Sequence, residues 1–153
     1  MIDEGLRTLL LAQPSVVDLV PPQTIEGIVF QGVFVQNAYQ GFFPKRHDDA
    51  DMPFVVIDRL GGDPMLTLDD YSETLKSADI EITSFSLDGT KARDIDLTIR
   101  QFLDDYTGAC GSEDTIKAVL FDEPATGYDV PETGADIRLY WVTRGYEIQY
   151  STP

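Results

Sequence analysis

Nucleophilic catalysis needs a nucleophile beside a base, and this chain offers one such pair to weigh. It contains one cysteine, Cys110, and one histidine, His47. Cys110 stands between Gly108 and Gly111 without the local motif of a known thiol enzyme, and His47 lies in the most loop-like stretch of the sequence. A pair forms only if the fold brings them together; the residues read more simply as a loop thiol and a solvated imidazole. Next to the histidine, His47-Asp48-Asp49-Ala50-Asp51 supplies oxygen ligands suited to calcium or magnesium. The calcium-loop pattern also requires a turn glycine and a distant glutamate, and neither is in place, so the cluster reads as a polar loop. A cation-dependent hydrolase built on Asp48, Asp49 and Asp51 is the remotest function considered. Asp94 and Asp96 alternate with core positions of a helix and read as its solvated face. Phosphate loops, dinucleotide fingerprints, HExxH helices and zinc spacings do not occur. The expectation is a non-enzyme with no cofactor and no metal.

Charge narrows the partners. Aspartate and glutamate total 27 against 11 lysine and arginine, a formal net charge of -16. Such a chain repels phosphate backbones and anionic membrane surfaces at long range, so neither nucleic acid nor membrane is an expected partner. One cysteine allows no internal disulfide, which fits a reducing compartment. The opening MIDEGLRTLLLAQPSV lacks the basic region of a secretory signal, and no apolar run approaches the ~20 residues of a spanning helix.

The elements that must carry these residues follow from periodicity. Ile2, Leu6, Leu9 and Leu10 form one stripe of a first helix, with Asp3 and Glu4 in its favourable first turn. Pro14 breaks it, and a short turn follows until Pro21-Pro22. Ile28–Gln36 and Phe54–Leu60 read as strands. Ser77–Ser86 alternates, with Ala78, Ile80 and Ile82 on one face and Asp79, Glu81 and Thr83 on the other. Asp88 caps a second helix from Gly89 to about Tyr106, whose stripe is Ala92, Ile95, Ile99, Phe102, Leu103 and Tyr106. Ile116–Asp122 and Ile137–Val142 are further strands, separated by a turn-rich loop over Glu123–Gly134, and Tyr146–Tyr150 extends the last of them or forms a terminal arm. The 153 residues suit one domain. The expected fold is α+β: a mainly antiparallel sheet of four to five strands with two helices packed on one face. Around it are placed a long loop near 37–53, a projecting arm near 61–76 and a terminal extension near 146–153.

Several segments, in order, resemble the tail completion proteins of long-tailed phages, also called tail terminator or tail-to-head joining proteins. They are IDEGLRTLLLAQPSVVDLV at the start, MPFVVIDRLGG (Met52 to Gly62), SADIEITSFSLDGTKARDIDLTIRQFLDDYTG (Ser77 to Gly108) and the closing IKAVLFDEPATGYDVPETGADIRLYWVTRG. The stretch Thr24 to Asp51 is longer and more aromatic than that pattern, and Tyr146 to Pro153 has no firm counterpart. The resemblance implies a non-enzymatic subunit of a homo-oligomeric ring, commonly a hexamer. That ring caps the tail tube and joins it to the connector or neck proteins of the head, with DNA passing nearby without specific binding. The implied location is the tail or neck of a virion assembled in the host cytoplasm.

Two groups of residues acquire candidate roles. Phe30, Phe34, Tyr39, Phe42 and Phe43 exceed what a short strand needs for a core, and are candidate interface anchors with core packing as the equal alternative. Asp69, Asp70 and Glu73, on the arm, are candidate lining for the lumen of a ring, where carboxylates would keep passing DNA from sticking. Two other readings remain open: a neighbouring head–tail neck protein, and an acidic binding module that mimics DNA toward a basic enzyme.

Overall fold

The computed structural model describes residues 2–25, 27–35, 53–61, 74–112, 114–129 and 138–152. Helix α1 (Ile2–Leu11) buries Ile2, Leu6 and Leu10, whose spacing of four puts them on one face. Pro14 opens the single-turn α2 (Pro14–Val17), a position where its missing N–H costs nothing. Strands β1 (Gln23–Ile25) and β2 (Ile28–Phe30) form a small antiparallel hairpin of their own, with Gly27 supplying a φ of 80° at the turn.

Next come β3 (Val33–Val35), β4 (Phe54–Gly61), β5 (Thr74–Ser86) and α3 (Gly89–Leu103), then β6 (Gly108–Cys110), β7 (Asp114–Phe121), β8 (Ala125–Asp129) and β9 (Leu139–Thr152). Among the described residues these strands make a seven-stranded sheet in the order β3-β4-β5-β9-β7-β6, with β8 also pairing β9. The fold is α+β, but the expected four to five strands undercount it. The sheet is also mixed, because β3 runs parallel to β4. The extra strands are short, three residues in β3 and β6 and five in β8. Segments of that length show no period of their own and pair because longer neighbours present an edge.

Two expected boundaries move, and one open reading is decided. The strand expected over Ile28–Gln36 divides at Gln31-Gly32. A Cβ at Gly32 would lie 2.6 Å from the Val20 carbonyl oxygen, so the chain can pass close to Val20, in the turn that follows α2, only as glycine. Helix α3 ends at Leu103, short of Tyr106, where Asp105 adopts a φ of 58° and the Tyr106 hydroxyl donates to the Ala109 carbonyl at 2.7 Å. Of the two readings of Tyr146–Tyr150, an extension of the last strand or a terminal arm, the structure has the first: these residues are the second half of β9. That strand pairs with β5 from Thr74↔Thr152 to Ser86↔Tyr140.

Alternation divides the side chains of the sheet between two clusters. Val55, Ile57, Ile80, Ile82, Tyr146 and Ile148 join α1 (Ile2, Leu6, Leu10) and α3 (Ile95, Ile99, Leu103) in one aliphatic core. Strand β7 reaches it through a bulge between Ile116 and Ala118, which turns Ile116 and Val119 to the same side although they are three apart. The other face carries an aromatic cluster of Phe34, Phe54, Val56, Phe85 and Leu139. Phe54 stacks on Phe85 at 4.6 Å and meets Phe34 edge-on at 6.1 Å. Such contacts contribute ~0.5–1.5 kcal/mol each beyond the area they bury.

Candidate functional site

Cys110 is not presented to solvent. The thiol is 1% exposed, lies 3.9 Å from the Ile2 carbonyl and packs under α1. Gly5 makes this possible, since a Cβ there would come 2.9 Å from Cys110 Sγ. Burial, reinforced by Asp114, pushes the thiol pKa up to about 12, so the nucleophilic thiolate is suppressed. His47 and the Asp48-Asp49-Asp51 cluster lie outside the described residues.

Asp96 is the clearest correction to the sequence reading. It is 4% exposed rather than solvated, and both its oxygens are taken by Arg144, from Nε at 3.1 Å and Nη2 at 2.9 Å. Arg144 Nη1 also donates to the Asp122 carbonyl at 2.8 Å, which ties the turn after β7 to α3. Its guanidinium lies 5.7 Å from the Phe121 ring centre, and that of Arg100 lies 5.2 Å from the same centre. The hydrogen bond with Asp96 raises the Arg144 pKa further, so the guanidinium stays charged. One signal in the sequence pointed here. Arg144 interrupts the inward series Val142, Tyr146, Ile148, Tyr150, and a charge on a buried face requires a partner. Asp94, the other half of the predicted pair, is exposed.

Two surfaces stand out. On the sheet face opposite the aliphatic core, β4, β5 and β9 set carboxylates directly across from one another, Asp58↔Glu81 and Asp79↔Glu147. Ser77 donates to Glu147 at 3.2 Å. Like charges facing each other across a sheet oppose folding by ~0.2–1 kcal/mol per pair, so this strip is not explained by stability.

The second surface is a groove of about 720 Å³ between the first turns of α3 and β8. Asp88 caps the helix by accepting from the Thr90 N–H at 3.0 Å. Tyr140 packs beside Gly89, and the Tyr128 and Tyr140 rings meet at 5.9 Å. Gly127 lies flat on the Trp141 indole, where a Cβ would come within 2.4 Å of Cζ2. Arg93 lines the groove and Arg138 stacks over the Tyr128 ring at 4.8 Å.

Of the candidate interface aromatics, Phe34 is in the aromatic cluster at 9% exposure and Phe30 belongs to β2. Tyr39, Phe42 and Phe43 lie outside the described residues, as do Asp69, Asp70 and Glu73. The long loop and the arm fall largely there too, although Gly61 closes β4 and Thr74–Lys76 open β5. Sequence reasoning did not single out the acidic strip or the groove. Among the described residues no group of three or more acidic, cysteine or histidine side chains is arranged to hold a metal, and no helix is long and apolar enough to cross a membrane.

No protein-family profile matches the chain, and no curated protein matches it. Among solved structures, a chain in the virion of a native gene transfer agent (GTA) particle is similar to it, with a TM-score of 0.55 and 12% identity. The superposition covers 97% of this chain and 94% of that one. At this identity the likeness is one of fold.

Proposed function

We propose that this chain is a non-enzymatic structural subunit of a phage-type virion. In this reading it forms a ring at the head-proximal end of a tail, capping the tail tube and joining it to the neck proteins of the head. The observation that carries the reading is the fold shared with a virion chain over 97% of the present one and 94% of the other. A match along nearly the whole of both chains is what one assembly subunit compared with another would give. The order of segments resembling tail completion proteins points to the terminator position in particular.

The acidic strip adds a physical rationale. Asp58, Asp79, Glu81 and Glu147 carry an electrostatic cost that folding does not require. A subunit bordering a DNA path gains from such a surface, because it repels the backbone and lets it pass. A closed ring also needs heterologous contacts, made by two different patches of each subunit.

The test is genetic and structural. Removing this chain from a producing phage should leave heads and tails unjoined and tails of irregular length, and the purified chain should form rings visible by negative-stain microscopy. Normal joined particles without the chain would exclude the role.

A further inference from the structure

We propose that the groove at the start of α3 is one half of a subunit contact and that Asp104-Asp105, at the far end of the same helix, is the other half on a second copy of this chain. The inference rests on the ring reading above and names the surfaces that would close the ring.

Two observations point to an acidic occupant for the groove. In a chain with 27 carboxylates and 11 basic residues, arginines should be absorbed by ion pairs. Yet Arg93 and Arg138, both exposed, have no ion-pair partner among the described residues. Arg138 is instead held over the Tyr128 ring at 4.8 Å, and Tyr128 is itself 51% exposed. Exposed tyrosine with arginine, around a concave surface, is the composition of an interface centre. The carboxylate that lines the groove, Asp88, accepts from the Thr90 N–H of its own helix. The other edge of β8 adds backbone groups with no strand partner among the described residues, where β8 pairs with β9 alone.

The acidic end has the complementary defect. Asp104 and Asp105 sit at the C-terminus of α3, where the helix dipole already concentrates negative charge and where cations are favoured. Both are exposed, and Asp105 holds the left-handed backbone, φ 58°, that projects the turn. Neither carboxylate has a cation partner among the described residues. The two patches are separated by the length of a 15-residue helix, ~22 Å. A groove at one end and its complement at the other make a head-to-tail contact, the kind that generates rings. In a chain of net charge -16, juxtaposing these patches also offsets the self-repulsion that assembly must overcome.

Two variants test this. Arg93→Glu with Arg138→Glu reverses the groove. Asp104→Lys with Asp105→Asn reverses the acidic end and keeps a residue tolerant of the left-handed backbone. All four positions are exposed, and circular dichroism checks that both variants fold. Sedimentation velocity should show the native chain assembling, each variant weakened by ~100-fold or more, and their equimolar mixture assembling again, because each supplies the patch the other lacks. Variants that assemble as well as the native chain, or a mixture that does not recover, would overturn the contact and leave the ring reading standing. A native chain that stays monomeric at high concentration, alone and on purified tail tubes, would overturn both.

Discussion

Arg144 and Arg93 both belong to the surroundings of α3, and the structure treats their charges in opposite ways. Arg144 is 5% exposed, with both oxygens of Asp96 and the Asp122 carbonyl around its guanidinium. Arg93, on the first turns of the helix, is exposed and lines a groove among tyrosines. The first arrangement is closed, because every strong partner lies within the chain and removing one leaves a buried charge alone. The second is open, since its charge adds little to the folded monomer and is available to another molecule. Perturbations should therefore separate into those felt by folding and those felt by assembly.

The largest effect belongs to the closed region. Asp96→Ala leaves the Arg144 guanidinium buried without its counter-ion and should destabilise the fold by ~3–5 kcal/mol in urea unfolding. Replacing both partners, Asp96→Leu with Arg144→Met, removes the desolvation cost along with the attraction and should recover most of that loss. If Asp96→Ala alone costs under ~1 kcal/mol, water reaches the pair and the region is not closed.

The aliphatic core that backs the closed region should also weaken at alkaline pH. Burial raises the Cys110 pKa from 9.0 to about 12, and raises those of Tyr146 and Tyr150 above their ordinary value. For the thiol, the unfolded state loses its proton first. Its contribution to stability is whole below pH 9 and declines as pH climbs toward 12. Chemical unfolding at stepped pH should show stability falling across that window, and Cys110→Ala should flatten the fall while removing some packing. In the native state at pH 8 the thiol should be unreactive to a disulfide reagent and become reactive on unfolding.

The open region has one rigid feature, and it gives the next effect in size. Gly127→Val places side-chain atoms where the Trp141 indole lies, within 2.4 Å of the new Cβ. Overpacking of this kind costs ~1–3 kcal/mol, and the indole must swing away from β8. Tryptophan fluorescence reports it directly, since Trp141 is the chain's one tryptophan. An unshifted emission spectrum with unchanged stability would mean that β8 is not held against β9 by this contact.

The same contrast explains what the sequence made legible. Long periodic segments announced themselves. The α1 stripe of Ile2, Leu6 and Leu10, the alternation of Ala78, Ile80 and Ile82, and the Asp88 cap are local signals read at fixed spacing, and each is where it was expected. Short strands were not legible, because Gly108–Cys110 and Ala125–Asp129 become strands only through the edges that β7 and β9 offer. Nor was Asp96, whose neighbours on the helix said surface. Its partner lies 48 positions away on β9, and only the pairing of strand and helix brings them together. The groove was hidden for a related reason. Tyr128 sits in a stretch whose proline and glycines read as loop, and a concave surface is a property of three elements rather than of any one.

The smallest expected effect on folding is the most informative about the comparison. Arg93→Glu alone touches no partner within the described residues, and a glutamate in the first turns of α3 suits the helix dipole. Stability should therefore stay within about ±0.5 kcal/mol of the native chain. If Arg93 serves only as a solvated surface residue, self-association should also be unchanged. If the groove receives an acidic segment, association should weaken, and the native chain's association should weaken as salt rises while the variant's does not, because charge attraction across an exposed rim is screened within ~10 Å at 0.1 M salt. Measuring urea stability and salt-dependent sedimentation on this one variant separates the two meanings of a charge on this protein. A loss of stability without a loss of association would reverse the assignment of the groove as the open region, and the opposite result would fix it.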